Sequence, residues 1–312
     1  MFLAQPNPLQ YKSLSEMTAG AVTPPASCAL TGWESLFAWL ISEIIVSGML
    51  SPGSIVDCGA HQGGEACLYA SLAPARTVHA IEPWGAHIST IRRRYGSHLP
   101  NLRTLQGALG SRDRIASVHG QHTPSMLVNV HARPDVNSSG KGNINIHKLD
   151  TLYMDSGRWA SERLGFAHFD VEGSEEDVLL GAQRVLERDR PTFTLELTMR
   201  KRHGREFTAG RLIREVDRLG YQMLLVPEQC GKQSDCRNVI CVPKERVARV
   251  PALVTQHTVP VNASVAYSPE TLEKTPLLRG PPRNETAWKY RKEGGVAAIT
   301  TTMSQLASPP FA

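Results

Sequence analysis

Short apolar runs alternate along this chain with longer segments whose apolar residues recur at helical spacing. The first segment is WESLFAWLISEIIVSGML, from Trp33. Glu34 and Glu43 interrupt it, so it reads as an amphipathic helix rather than a membrane span. Thr31 and Glu34 have capping-box spacing at its start, and Pro52-Gly53 turns the chain after it. SIVDC (from Ser54) is a short apolar run, followed by a glycine-rich turn and the helix-like GEACLYASLA. TVHAIE (from Thr77) is the next run, and HISTIRRRYG after it carries Ile88, Ile91 and Tyr95 on one helical face. LRTLQGAL (from Leu102) is a third run. Residues 111 to 143 are polar and Gly/Ser-rich, with MLVNV from Met126 as an extra strand candidate. INIHKLDTLY (from Ile144) alternates like a half-exposed strand, and GFAHFDV (from Gly165) reads as a buried one. The segment from Asp170 to Leu186 supplies the helix that follows. PTFTLEL (from Pro191) is a further strand, and FTAGRLIREVDRLGY a helix closed by Gly220. MLLVP and NVICVP, from Met223 and Asn238, form a closing antiparallel pair.

Such alternation predicts an α/β fold: a mostly parallel sheet with an antiparallel edge and helices on both faces. The domain is expected over residues 31–247. Residues 1–30 are a Pro/Ser/Thr/Ala-rich extension, and 248–312 carry so little periodicity that they read as a disordered tail. The N-terminus shows no charged segment followed by an apolar core, so a secretory signal is not expected. The cytoplasm is favoured, with organellar targeting left open. Hydrophobic content of 41% and charged content of 20% are ordinary for a globular protein, and the net charge of +5 permits nucleic acid without implying it. Cys58 and Cys67 fall in an apolar strand and helix and read as small hydrophobes. Cys230 and Cys236 flank a polar loop that an oxidising compartment would let them bridge.

Candidate chemistry gathers at two strand ends. In IVDCGAHQGGEACLYA, glycines 59, 63 and 64 let backbone approach a ligand, and the next helix aims free N–H groups at it. The second run ends at Glu82, an acid able to accept both hydroxyls of a ribose. A dinucleotide dehydrogenase needs G-x-G-x-x-G, which His61 breaks; a methyltransferase needs an acid and a G-x-x-x-G turn, which Asp57, Gly59 and Gly63 supply. A plain strand–turn–helix without ligand is the third possibility. The second strand end carries five carboxylates between Asp170 and Asp177. Glu175, Glu176 and Asp177 suit the first turn of a helix, with Ser174 and Asp177 as a capping-box variant. Asp170 and Glu172 lie before that helix, at the ligand edge of the sheet, where a carboxylate orients a hydroxyl or takes its proton. Two acids alone make a poor metal site, and HGQH at 119 to 122 lacks a third ligand, so no metal is expected. The triple arginine at 92 to 94 reads as a solvated helix face, and RKRHGR from Arg200 as a solvated loop or a grip on an anionic acceptor.

In order, VDCGAHQGG, AIEP, KLDTL, FDVEGSEEDVLLGA and PTFTLEL resemble the FkbM family of S-adenosylmethionine-dependent methyltransferases over residues 54 to 226. DVEG followed by LLGA is the specific part. The resemblance implies a Rossmann-like class I methyltransferase fold and methylation of a hydroxyl on a sugar, glycan or natural product. It implies that Asp57, Gly59, Ala60, His61 and Gly63 line the methionine end of S-adenosylmethionine, that Glu82 holds the ribose, and that Ala108 lies near the adenine. Asp170 and Glu172 would face the transfer site. His61 stands in place of the family's Asn, and His168 in place of its Lys; strand alternation puts His168 on the face of Asp170, as a proton acceptor or a core residue. The rival readings are a methyltransferase-like binding module without turnover and a nucleic-acid methyltransferase. The latter lacks the proline-and-aromatic clamp for a flipped base, because DVEG stands in its place.

Overall fold

The computed structural model describes residues 28, 35–117, 143–154, 157–198, 209–228, 236–261 and 263. Helix α1 (Ser35–Val46) leads into β1 (Ser54–Cys58), α2 (Gly64–Leu72), β2 (Val78–Glu82), α3 (Gly85–Tyr95) and β3 (Leu102–Gln106). Further along lie β7 (Leu164–Phe169), α5 (Glu175–Leu180), α6 (Gln183–Asp189), β8 (Thr192–Thr198), α7 (Ala209–Arg218), β9 (Tyr221–Leu225) and β10 (Cys236–Pro243). These strands and β11 (Val259–Val261) form one sheet in the order β11-β9-β10-β8-β7-β1-β2-β3. The five strands from β8 to β3 are parallel, and β10, β9 and β11 pair antiparallel at one edge, of which the sequence pattern predicts the β9–β10 pair.

This order follows from burial. Every residue of β1, β2 and β7 is buried, which requires helices on both faces. One face carries Val56, Cys58, Ala167 and Phe169 against α5, α6 and α7. The other carries Ile55, Val78, Ala80 and Phe166 against α1, α2 and α3. The chain runs outward from β1 to β3 and then returns to β7 on the other side of β1. That reversal opens a crevice beyond the carboxyl ends of β1 and β7, where open α/β sheets take their ligands.

Five expectations need correction. LRTLQGAL is not one strand. It breaks at Gly107, whose N–H bonds the Glu82 carbonyl, and where a Cβ would stand 2.8 Å from the Asn145 carbonyl. Beyond it β4 (Ala108–Leu109), β5 (Arg114–Ser117) and β6 (Asn143–His147) make a separate small sheet, order β4-β6-β5. INIHKLDTLY divides into β6 and a short helix, α4 (Leu149–Tyr153), because the Asp113 carboxylate accepts the Lys148 N–H and the Thr151 hydroxyl and so starts a helix. The helix after Asp170 is two helices, broken at Gly181: a Cβ there would lie 2.0 Å from the Gly110 carbonyl. Residues 248–261, assigned to the tail, hold the end of a 3-10 turn (Lys244–Arg249), α8 (Ala252–Gln256) and β11, which pairs with β9 and ends the sheet. Cys67 is more than a small hydrophobe, since it is disulfide-bonded to Cys28, 39 residues earlier. Cys236 is also in a disulfide; Cys230, with which the sequence would pair it, lies outside the described residues. So do Thr31, MLVNV, HGQH and RKRHGR.

Candidate active site

Fully buried β1 delivers Asp57 to the crevice, and the chain then turns through Gly59, Ala60, His61 and Gly63 into α2. The N–H groups of Gly59 and Ala60 both bond the Ile81 carbonyl, which clamps the turn onto β2. Gly59, His61 and Gly63 all have positive φ. The two glycines are required by protein, and not only by a ligand. A Cβ on Gly59 would sit 1.8 Å from the Asp170 carbonyl, and one on Gly63 2.8 Å from Ile91 of α3. The first turn and the DVEG turn therefore touch backbone to backbone. The Asp170 N–H also bonds the Cys58 carbonyl at 3.0 Å.

Asp57 is 2% exposed, and burial, with Glu65 and Glu82 nearby, pushes its carboxyl well above the usual range. The Ala66 N–H works the other way. Asp57 Oδ2 is buried and has no hydrogen-bond partner. Glu82, 4% exposed, accepts the His61 N–H (2.9 Å) on one oxygen and the Trp84 N–H (3.0 Å) on the other, with His87 Nδ1 at 3.2 Å. A carboxylate has about four acceptor directions, so roughly one stays open. His61 is exposed, and its ring meets that of His87 edge-on at 4.3 Å between centroids. Ala108 lies one residue past Gly107, which is tied to Glu82, but in the small sheet. There it packs with Trp84 against Ala116, Ile144 and Ile146. Trp84, directly after the Glu82-Pro83 pair, is the half-buried aromatic at this end of the crevice that sequence reasoning passed over.

His168 does not reach the crevice as a base. It turns into the α1–α2 layer, where the Tyr69 hydroxyl meets Nδ1 at 2.5 Å and Phe37 packs edge-on at 5.5 Å. Asp57 Oδ1 is 4.0 Å from the same nitrogen. Burial lowers the His168 pKa to about 4, so the ring is neutral at physiological pH and a weak proton acceptor.

After Asp170 the chain turns at Glu172 (φ 55) and Gly173 (φ 93), which leaves the Glu172 side chain exposed. Ser174 makes no side-chain cap. Glu175 does that work instead: one of its carboxylate oxygens accepts the N–H groups of Val171 (3.3 Å) and Gly173 (3.1 Å). The residue is buried, and burial raises its pKa to about 7 against the pull of those bonds. Glu176, by contrast, pairs with Arg211 on α7 at 3.3 Å. Asp150 of KLDTL is structural too, accepting the N–H groups of Arg184 and Val185 at the start of α6. The arginines at 92 to 94 are exposed, as expected. Among the described residues, no group of three or more His, Cys, Asp or Glu side chains is set to hold a metal, and no helix is long and apolar enough to cross a membrane. A cleft of about 500 Å³ lies elsewhere, around the edge strand β3, lined by His79, Arg103, Trp159 and Glu162 among others.

The fold has distant likenesses among solved structures. An FkbM methyltransferase from Methylobacillus flagellatus is 17% identical, with a TM-score of 0.41 over 61% of this chain. The match spans 43% of that protein. Aeropyrum pernix fibrillarin, solved with natively bound S-adenosyl-L-methionine, is 12% identical, with a TM-score of 0.40 over 67% of this chain and 74% of its own. A methyltransferase from Geobacter sulfurreducens is 13% identical, with a TM-score of 0.37 over 73% and 85%. No curated protein matches in sequence. The sequence profile of the methyltransferase FkbM domain matches residues 57–223, from the crevice acid of β1 into β9, more than half of the chain. The protein belongs to the FkbM methyltransferase family.

Proposed function

We propose that this protein transfers the methyl group of S-adenosylmethionine to a hydroxyl of a sugar, glycan or natural product. One observation carries the cofactor reading. Asp57 presents a buried oxygen with no hydrogen-bond partner, among like charges, at the sheet's switch point. An uncompensated carboxylate in such a place calls for a cation. S-adenosylmethionine carries an ammonium and a sulfonium, so the residues present fit it, whereas a pyrophosphate would meet repulsion. When bound, it supplies a methyl group activated by its positively charged sulfur.

Asp57 and the turn of Gly59, Ala60, His61 and Gly63 hold the amino-acid end. Glu82 takes the ribose with its open acceptor direction, and Ala108 with Trp84 flanks the base. Asp170 takes the proton of the acceptor hydroxyl, or orients that hydroxyl, at its carboxylate. Glu172, on the exposed turn, faces the entering acceptor. Holding the reactants in line supplies much of the rate in such a transfer, so the rigidity of the Asp170 turn matters as much as its charge. His168 is assigned to packing.

Titration calorimetry with S-adenosylmethionine, S-adenosylhomocysteine and NAD tests this reading. The first two should bind, NAD should not, and Glu82→Ala should lose the binding. A methyl-transfer screen over hydroxylated acceptors follows, in which Asp170→Asn should lower turnover with cofactor affinity kept. NAD binding alone, or unaltered turnover in both Asp170→Asn and Glu172→Gln, contradicts it.

A further inference from the structure

The cleft of about 500 Å³ around β3 gathers arginines from three separate elements: Arg92 of α3, Arg103 of β3 and Arg158 in the turn after α4. We propose that this cleft is a second binding site, which takes a phosphate group, free or as the monoester of a small molecule. It is independent of the methyl-transfer reading, because it lies toward the amino ends of β2 and β3. Glu82, at the crevice, stands three residues beyond His79, about 10 Å further along β2.

A pinned floor comes first. Val78 and Leu102 face α3, so alternation turns His79 and Arg103 to the opposite face, and the β2–β3 register sets them side by side. Trp159 stacks on His79 at 4.0 Å between ring centroids and meets Tyr153 edge-on at 5.2 Å. Both His79 and Trp159 are buried. The turn that carries Trp159 is held tightly to α4. Its N–H bonds the Leu152 carbonyl at 2.7 Å, and a Cβ on Gly157 would stand 1.9 Å from the Thr151 carbonyl. Arg158 is therefore presented from a fixed backbone, next to the stacked rings.

The charge around that floor is one-sided. Glu162 is the one acid lining the cleft, and its carboxylate already bonds His79 Nε2 at 2.9 Å. Three guanidinium groups thus face one engaged carboxylate, and among the described residues none of the three forms an ion pair. Arg92 donates its Nε–H to the Thr104 hydroxyl at 2.8 Å, which orients the fork and leaves both terminal nitrogens for a ligand. Arg103 gives one terminal nitrogen to the Pro100 carbonyl. The strand adds a backbone donor. The Val78 N–H bonds the Asn101 carbonyl and the Gly107 N–H the Glu82 carbonyl, so the odd-numbered residues of β3 pair with β2 and Thr104 turns its N–H to the outer edge. Planar forks match a phosphate two oxygens at a time, and a double negative charge suits this excess of cations better than the single charge of a carboxylate. The cleft is larger than the ion, which leaves room for a sugar-sized body beside half-buried Leu105. His79 supplies a reporter: burial lowers its pKa, Glu162 raises it, and Arg158 and Arg103 lower it again, so a phosphate that neutralises the two arginines raises it.

Titration calorimetry of the full chain in physiological salt tests this, with inorganic phosphate and glucose 6-phosphate as probes. The ester should bind, and Arg103→Gln and Arg158→Gln should each weaken it about tenfold. Both arginines are exposed, so these variants should keep the parent's melting temperature. Arg94→Gln, on α3 but outside the cleft, should bind as the parent does. Equal binding of the two probes supports a site for the phosphate group alone; tighter binding of the ester supports one that also holds the sugar. Imidazole NMR supplies the second arm, in which saturation with the ester should move the His79 titration to higher pH. Binding of neither probe, equal weakening in Arg94→Gln, full binding in both cleft variants, or a His79 titration that the ester does not move would each overturn the proposal.

Discussion

Removing the Cys28–Cys67 disulfide should cost this fold a large share of its stability. The bond closes a loop across 39 residues and anchors residue 28 to α2, the helix that leaves the glycine turn. Loop-closure entropy for that length is worth about 4 kcal/mol at 25 °C. A domain of this size loses roughly 2–4 °C of melting temperature per kcal/mol, so a fall of about 8–16 °C is expected. Cys28→Ser is the right variant, because Cys67 is fully buried and a serine there would add the cost of a buried hydroxyl. The assay is thermal unfolding followed by near-ultraviolet circular dichroism, without reductant so that the Cys236 disulfide stays intact. A fall of less than about 3 °C, corresponding to roughly 1 kcal/mol, would refute the entropy argument. Alkylation of both thiols in the untreated native protein would refute the bond itself.

Three further outcomes follow from the geometry. Gly59→Ala should destabilise the protein by about 3 kcal/mol in urea unfolding, because the new methyl meets the Asp170 carbonyl at positive φ; an unchanged midpoint would mean that the two turns are not in contact. His168 has a folded pKa of about 4 against 6.5, so its contribution is present above pH 6.5 and lost as pH falls toward 4. That loss is worth about 3 kcal/mol, and His168→Gln should flatten the stability profile over this range. Glu175 has the opposite sign: its folded pKa of about 7 is raised from 4.5, so stability falls as pH rises from 4.5 to 7. Glu175→Gln keeps an acceptor oxygen for Val171 and Gly173 and should match the parent at pH 4.5 but exceed it by up to about 3 kcal/mol at pH 8; equal stability at both values would count against a buried, proton-holding carboxyl.

Much of the fold is legible in the sequence. The parallel strands, the two acid-bearing turns and the antiparallel edge follow from periodicity, because apolar spacing is a local property of the chain. What escaped was set by partners distant in sequence. Gly59 looked like space for a ligand, and its tightest neighbour is the carbonyl of Asp170, brought alongside by the β1–β7 pairing. Glu175 looked like one of three dipole acids, and it is the one that folds back to close the turn. The third run broke at Gly107 because a strand from the small sheet crosses there. β11 was invisible because three residues containing a proline carry no strand pattern, and only pairing with β9 defines them. His168 shared a face with Asp170 as alternation required, but two residues of depth put it under Phe37 rather than in the crevice.

The two margins of the sheet differ in what they offer other molecules. At one, β11 is three residues long and contains Pro260, a poor template for further pairing. At the other, among the described residues, β3 ends the sheet and points its remaining backbone groups outward. Its sequence, LRTLQ, places Arg103 and Gln106 in solvent, with Arg92 of α3 hydrogen-bonded to Thr104 alongside. Two copies meeting edge to edge would bring these guanidinium groups together, a repulsion that keeps molecules apart during folding and at high concentration. Arg103→Val would remove that charge and add an apolar side chain next to Leu102, and the protein would be expected to self-associate in proportion to its concentration, with its fold intact.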